Sequence, residues 1–123
     1  MREAGAAAGT IHYTIVFRNG GEEPCFLRGF PGATAADAAG KGAVDASRDT
    51  AKASTRVLLP PGAAGHADLA VRNVPPGSAP CPRYPLLLVT PPDSRETQRL
   101  SQVTTPCAGR MRISVVQPGA DGP

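Results

Sequence analysis

Tryptophan is absent from the 123 residues, and Tyr13, Phe17, Phe26, Phe30 and Tyr84 are the whole aromatic complement. A stacking platform for bases or sugars is therefore poorly supplied. Large aliphatics are scarce too, because 20 alanines inflate the 41% hydrophobic fraction and only 27 residues are Val, Leu, Ile, Met, Phe or Tyr. The core must be thin. No apolar run approaches the roughly 18 residues of a membrane-spanning helix. The 13 basic residues are scattered (Arg18, Arg28, Arg56, Arg72, Arg95, Arg110 and Arg112 among them), no Lys/Arg run exists, and the net charge is only +3. Nucleic acid is thus not an expected partner. The low net charge also argues against disorder. Cysteine is nearly missing, at three residues, and three thiols cannot all pair within one molecule.

Gly and Pro are plentiful at 14 each, and they are spread along the chain, which marks many turns. Between them the apolar residues alternate. In "TIHYTIVFR", residues 10–18, Ile11, Tyr13, Ile15 and Phe17 share one face of a half-buried strand that "NGG" ends as a turn. "CFLRGF" reads as a short strand stopped by Pro31-Gly32, and "ATAADAAGKGAVDA" as a weak hairpin about Gly40-Lys41-Gly42. "STRVLL" (54–59) runs into Pro-Pro-Gly. "GHADLAVRN" (65–73) sets Ala67, Leu69 and Val71 inward and His66, Asp68 and Arg72 outward. "YPLLLVT" (84–90) is apolar on both faces, as a central strand would be, and strands at 98–104 and 110–118 follow. Seven or eight short strands with turns between them predict an all-β chain, an antiparallel β-sandwich of immunoglobulin-like topology. The expected organisation is a flexible segment at 1–9, one sandwich domain at 10–118 and a flexible tail at 119–123.

Cys81 precedes the strand at 84–90 and Cys107 follows the strand at 98–104, so the open end of a hairpin made from those strands would bring the two together. A disulfide there would be worth about 3–4 kcal/mol on the chain-entropy model. Buried free thiols of a cytosolic protein are the other reading. Cys25 is then the odd thiol, whose partner would belong to a strand preceding residue 10. No such strand is legible, so the sequence reads as one that starts late or pairs between molecules. On that reading Ile11 to Phe17 forms a bare sheet edge, and homodimerisation through that edge or through Cys25 is expected. The opening "MREAGAAAGT" lacks the continuous apolar stretch of a signal peptide. Either the chain is cytosolic or it begins downstream of a removed export segment.

Chemistry is thinly represented. His12 and His66 are the only histidines, and His66-x-Asp68 points one way along a strand, with His12 and Met111 the only further soft or imidazole donors. No serine sits in a Gly-x-Ser-x-Gly elbow, and Glu22 and Glu23 disfavour a reactive thiolate at Cys25. No catalytic residue, metal site or cofactor is assigned, and His66 and Asp68 are read as solvated strand residues. Binding is more naturally carried by loops at the ends of a sandwich, which nominates Glu22, Glu23, Arg83, Tyr84, Asp93 and Arg95.

"VFRNGGEEPCFLRGFPGA", "LLPPGAAGHADLAVRN", "CPRYPLLLVTPPD" and "PCAGRMRISVVQPG" together resemble, in order and spacing over residues 9–119, a family of actinobacterial secreted proteins and lipoproteins called domain of unknown function 4232. The resemblance implies an exported immunoglobulin-like domain of the cell envelope with four cysteines, of which Cys25, Cys81 and Cys107 match the last three. It implies no enzymatic activity. The expected function is a non-catalytic module, extracellular or on the cell surface, binding an unknown protein or envelope component. A second reading is an inhibitor of a secreted hydrolase acting through the Pro-rich loop at 74–85, and a third is a small enzyme or metal carrier using His66 and Asp68.

Overall fold

Period-two alternation is followed closely by the chain as it folds. The computed structural model describes residues 2–7, 9–73, 80–92 and 95–120. Its strands are β1 (Arg2–Ala7), β2 (Thr10–Arg18), β3 (Cys25–Arg28), β4 (Gly32–Ala36), β5 (Gly42–Asp45), β6 (Ser47–Arg48), β7 (Arg56–Leu59), β8 (Ala64–Arg72), β9 (Leu86–Thr90), β10 (Gln98–Leu100), β11 (Met111–Ile113) and β12 (Gln117–Pro118). The first sheet runs β1-β2-β8-β11-β6, with β12 also on β8; the second runs β10-β9-β4-β5, and β3 and β7 form a two-stranded ribbon. Every ladder is antiparallel except β11 with β6. No helix among the described residues is long and apolar enough to cross a membrane.

The two larger sheets bury their facing sides against each other. Tyr13, Ile15, Ala67, Leu69, Val71, Met111 and Ile113 come from the first, and Ala33, Ala35, Leu87 and Val89 from the second. Small side chains at Ala33 and Ala35 let the sheets approach, so the shortage of bulky residues becomes a thin layer instead of a void. β9 is indeed central, between β10 and β4, with Leu87 and Val89 buried. A second, smaller cluster of Val57, Leu59 and Val116, with Phe17, Cys25 and Leu27 against it, seats the ribbon on the end of the sandwich.

Several expectations from the sequence need correction. Residues 2–7 are not a flexible lead: β1 pairs with β2 from Arg2↔Thr14 to Ala7↔Thr10, with a bulge between Glu3 and Gly5. Ala- and Gly-rich sequence carries no hydrophobic period, yet its backbone can still pair. The Ile11–Phe17 edge is therefore covered by the chain itself as far as Thr14. The strand expected at 98–104 shortens to three residues plus an isolated bridge between Tyr84 and Thr104.

The strand expected at 110–118 divides into β11 and β12 because Ser114 enters the ladder: its N–H donates to the Asp68 carbonyl at 3.0 Å and its hydroxyl accepts the Asp68 N–H at 2.8 Å. Val115 and Val116 are then buried in succession, and the Val116 N–H donates to Gly29 O near the ribbon. Opposite this crossing, a Cβ on Gly65 would lie 3.1 Å from both the Gln117 carbonyl and Val116 Cγ1, so a larger residue would need these neighbours to give by a few tenths of an ångström. The start of the expected loose tail is also held, since Gly119 N–H donates to Ala64 O.

Candidate functional site

At one end of the sandwich, the antiparallel β9–β10 pair continues as the Tyr84–Thr104 bridge, which exchanges hydrogen bonds of 2.9 and 3.0 Å. Just beyond it Cys81 and Cys107 are disulfide-bonded with their Cα atoms 5.1 Å apart. The bond holds a single 3-10 turn, Cys107–Gly109, in which Ala108 (φ 54°) and Gly109 (φ 64°) are left-handed and Arg110 N–H closes onto Cys107 O. Ala108 adopts a conformation that costs an L-residue about 1–2 kcal/mol. That turn delivers the chain into β11.

Register then gathers three arginines. Met111 faces Val71 and Arg112 faces Ala70, and one step further along the ladder sets Arg110 opposite Arg72, whose N–H donates to Arg110 O at 3.0 Å. Val71 and Met111 point into the core, so Arg72, Arg110 and Arg112 point out. With Thr10, which faces Arg72, and Ser47, which faces Arg112, they line a depression of about 510 Å³ together with Asp45, Ala70, Gly109 and Met111. Among the described residues none of the three arginine side chains has a hydrogen bond or ion pair. Asp45, the one carboxylate among the described residues that line the depression, accepts the Thr34 hydroxyl at 2.6 Å. A neighbouring depression of about 130 Å³ shares Ala70 and Arg112 and adds His12, Asp49, Lys52, Asp68 and Ser114.

The binding-loop residues nominated from the sequence do not form one surface. Glu22 and Glu23 are exposed in the turn after β2, which Asn19 organises by donating from Nδ2 to Glu23 O (2.7 Å) and Leu59 O (2.8 Å). Arg95 follows Pro91, which lines a cleft with Asn19, so it belongs to that end of the sandwich; Arg83 and Tyr84 belong to the disulfide end. Tyr84 is half-buried against the core, not presented in a loop. Asp93 and residues 74–79 of the Pro-rich loop lie outside the described residues.

His66 stands on the outer face of β8 but is buried, at 3% exposure, rather than solvated. Its Nδ1 lies 2.9 Å from Gly119 O and so carries the proton, leaving Nε2 buried without a partner among the described residues. Met111 faces the core, away from His12 and Asp68. No group of three or more His, Cys, Asp or Glu among the described residues could hold a metal ion.

Cys25 is half-buried opposite Leu59 and outside any disulfide among the described residues. It lines a largely apolar cleft of about 340 Å³ with Ile15, Phe17, Leu27, Leu59 and Leu100. On the ribbon's other face Phe26 and Leu58, 49% and 52% exposed, sit opposite each other, with Arg56 stacked 3.6 Å from the Phe26 ring centre.

The arginine cluster escaped sequence reasoning, which counted Arg72, Arg110 and Arg112 among scattered basic residues. Arg110-x-Arg112 shows as a same-face pair in the sequence, but Arg72 joins it only through the β8–β11 register.

Fold and site together define a small antiparallel β-sandwich domain braced by one disulfide, with an arginine-lined depression beside the brace. The chain belongs to the family described as domain of unknown function (DUF4232), whose model matches residues 1–117. No curated protein matches it, and no solved structure does.

Proposed function

We propose that the protein is an exported, non-catalytic module that binds a component of the cell envelope or the extracellular medium. The observation that carries this reading is the Cys81–Cys107 bond. Disulfides persist in oxidising compartments. This one also holds the turn that sets Arg110 beside Arg72, so a polar face is rigid before any partner arrives. Preorganisation of that kind lowers the entropic cost of binding. The remaining support is the sandwich scaffold of this chain, since binding residues in general concentrate on loops positioned by a rigid scaffold.

The test is fractionation of the producing cells, followed by non-reducing peptide mass spectrometry after thiol trapping and by co-sedimentation of purified protein with isolated envelopes. Recovery outside the cytosol with Cys81 joined to Cys107, and saturable co-sedimentation, are expected. Cytosolic protein with three alkylated thiols would overturn the reading, and absence of co-sedimentation would overturn the envelope as the partner.

A further inference from the structure

We propose that the arginine-lined depression binds a phosphate monoester carried on a polyhydroxyl group, such as a phosphorylated sugar. The inference rests on the binding-module reading and names the ligand class of one face.

The first argument is electrostatic. Like charges directly opposite on paired strands destabilise a sheet. Arg72 and Arg110 are opposite and Arg112 is diagonal to Arg72, yet no described carboxylate pairs with any of them. Arg18, by contrast, donates to Gly62 O, while Arg48 and Arg56 stack on Phe30 and Phe26. Three guanidinium groups lining one depression thus carry a mutual repulsion that Asp45, the one carboxylate among its described lining residues, offsets only in part. A ligand with two negative charges would offset it, because Arg matches phosphate oxygens in bidentate fashion.

Shape and the remaining lining extend the assignment. About 510 Å³ is more than a lone phosphate fills, and Gly109, where an added Cβ would meet nothing within 4 Å, leaves the mouth open. Thr10 and Ser47 add hydroxyls beside the arginines. In the smaller depression, which shares Ala70 and Arg112, Asp49 and Asp68 add two carboxylates and Lys52 one ammonium. That half has no net preference for an anion, but its carboxylates accept hydrogen bonds from hydroxyl groups. A basic half adjoining an acceptor-bearing half fits a ligand with a phosphate at one end and hydroxyls at the other.

The experiment is titration of ¹⁵N-labelled full-length protein with glucose 6-phosphate, inorganic phosphate, glucose and glucuronate, each at low and at physiological salt. Glucose 6-phosphate is expected to saturate, to shift the amides of Thr10, Ser47, Arg72, Arg110 and Arg112, and to weaken as salt is raised. Inorganic phosphate should bind the same arginines less tightly, and glucose should not bind. Each of Arg72→Gln, Arg110→Gln and Arg112→Gln should weaken binding about tenfold. Arg28→Gln with Arg56→Gln, on the ribbon, should not. All five side chains are exposed, and circular dichroism checks that the variants fold.

No saturation at millimolar glucose 6-phosphate, equal or tighter binding of glucuronate or free phosphate, or equal loss in the ribbon variant would overturn the assignment. Envelope co-sedimentation does not depend on this ligand. A silent titration beside intact co-sedimentation would overturn the ligand class alone; saturation without co-sedimentation would support the site and overturn the envelope as the place of its ligand.

Discussion

Single residues carry most of the tight geometry in this thin protein. Gly65 is the sharpest instance, because the crossing of β8 by residues 116–117 leaves only 3.1 Å for a Cβ. Gly65→Ala should cost about 1–3 kcal/mol as neighbouring backbone shifts to make room. Chemical denaturation would measure it, and an unchanged midpoint would mean the crossing is not rigid. Ala108 is the opposite case. Its left-handed conformation favours glycine, so Ala108→Gly should stabilise the fold by about 0.5–1 kcal/mol, the relief of strain outweighing the greater freedom of the unfolded chain. A lower denaturation midpoint in that variant would show that the turn relies on the alanine methyl.

Among elements, the β9–β10 pair and its disulfide were legible in the sequence, whereas β1 was not. The reason is physical: Leu86 to Val89 announce a buried strand by composition and Cys81 and Cys107 flank the pair, while Arg2–Ala7 is held through backbone pairing that leaves no hydrophobic pattern. The break at Ser114 was hidden for a similar reason, since a serine that bonds into the ladder looks like any outward polar residue. The arginine depression depends on register between strands about 40 residues apart, information that periodicity within one strand does not hold. Replacing Cys81 and Cys107 by serine should lower stability by about 3–4 kcal/mol. Thermal unfolding of that variant beside the parent measures the loss, and equal melting temperatures would show that the turn holds without its staple.

At the scale of the whole molecule, one core joins the two large sheets and a smaller cluster ties the ribbon to them through Phe17 and Val116. Tyr13 lies in that core and Tyr84 packs on it, with no tryptophan to mask their emission. Tyrosine fluorescence and far-ultraviolet circular dichroism should therefore give coincident unfolding curves, as for a single cooperative unit. Separate midpoints would mean that the ribbon melts by itself. The β2–β8 ladder, nine residue pairs from Thr10↔Arg72 to Arg18↔Ala64, has a temporal consequence. Its strands are separated by some forty-five residues that include the β4–β5 hairpin, so the local hairpin can close early while the longest ladder waits on a large loop. Such non-local pairing places folding on the millisecond-to-second scale. A nascent chain emerging from its N-terminus holds β2 without its main partner until residue 72 has been made, and for that interval its apolar face must be kept from other chains.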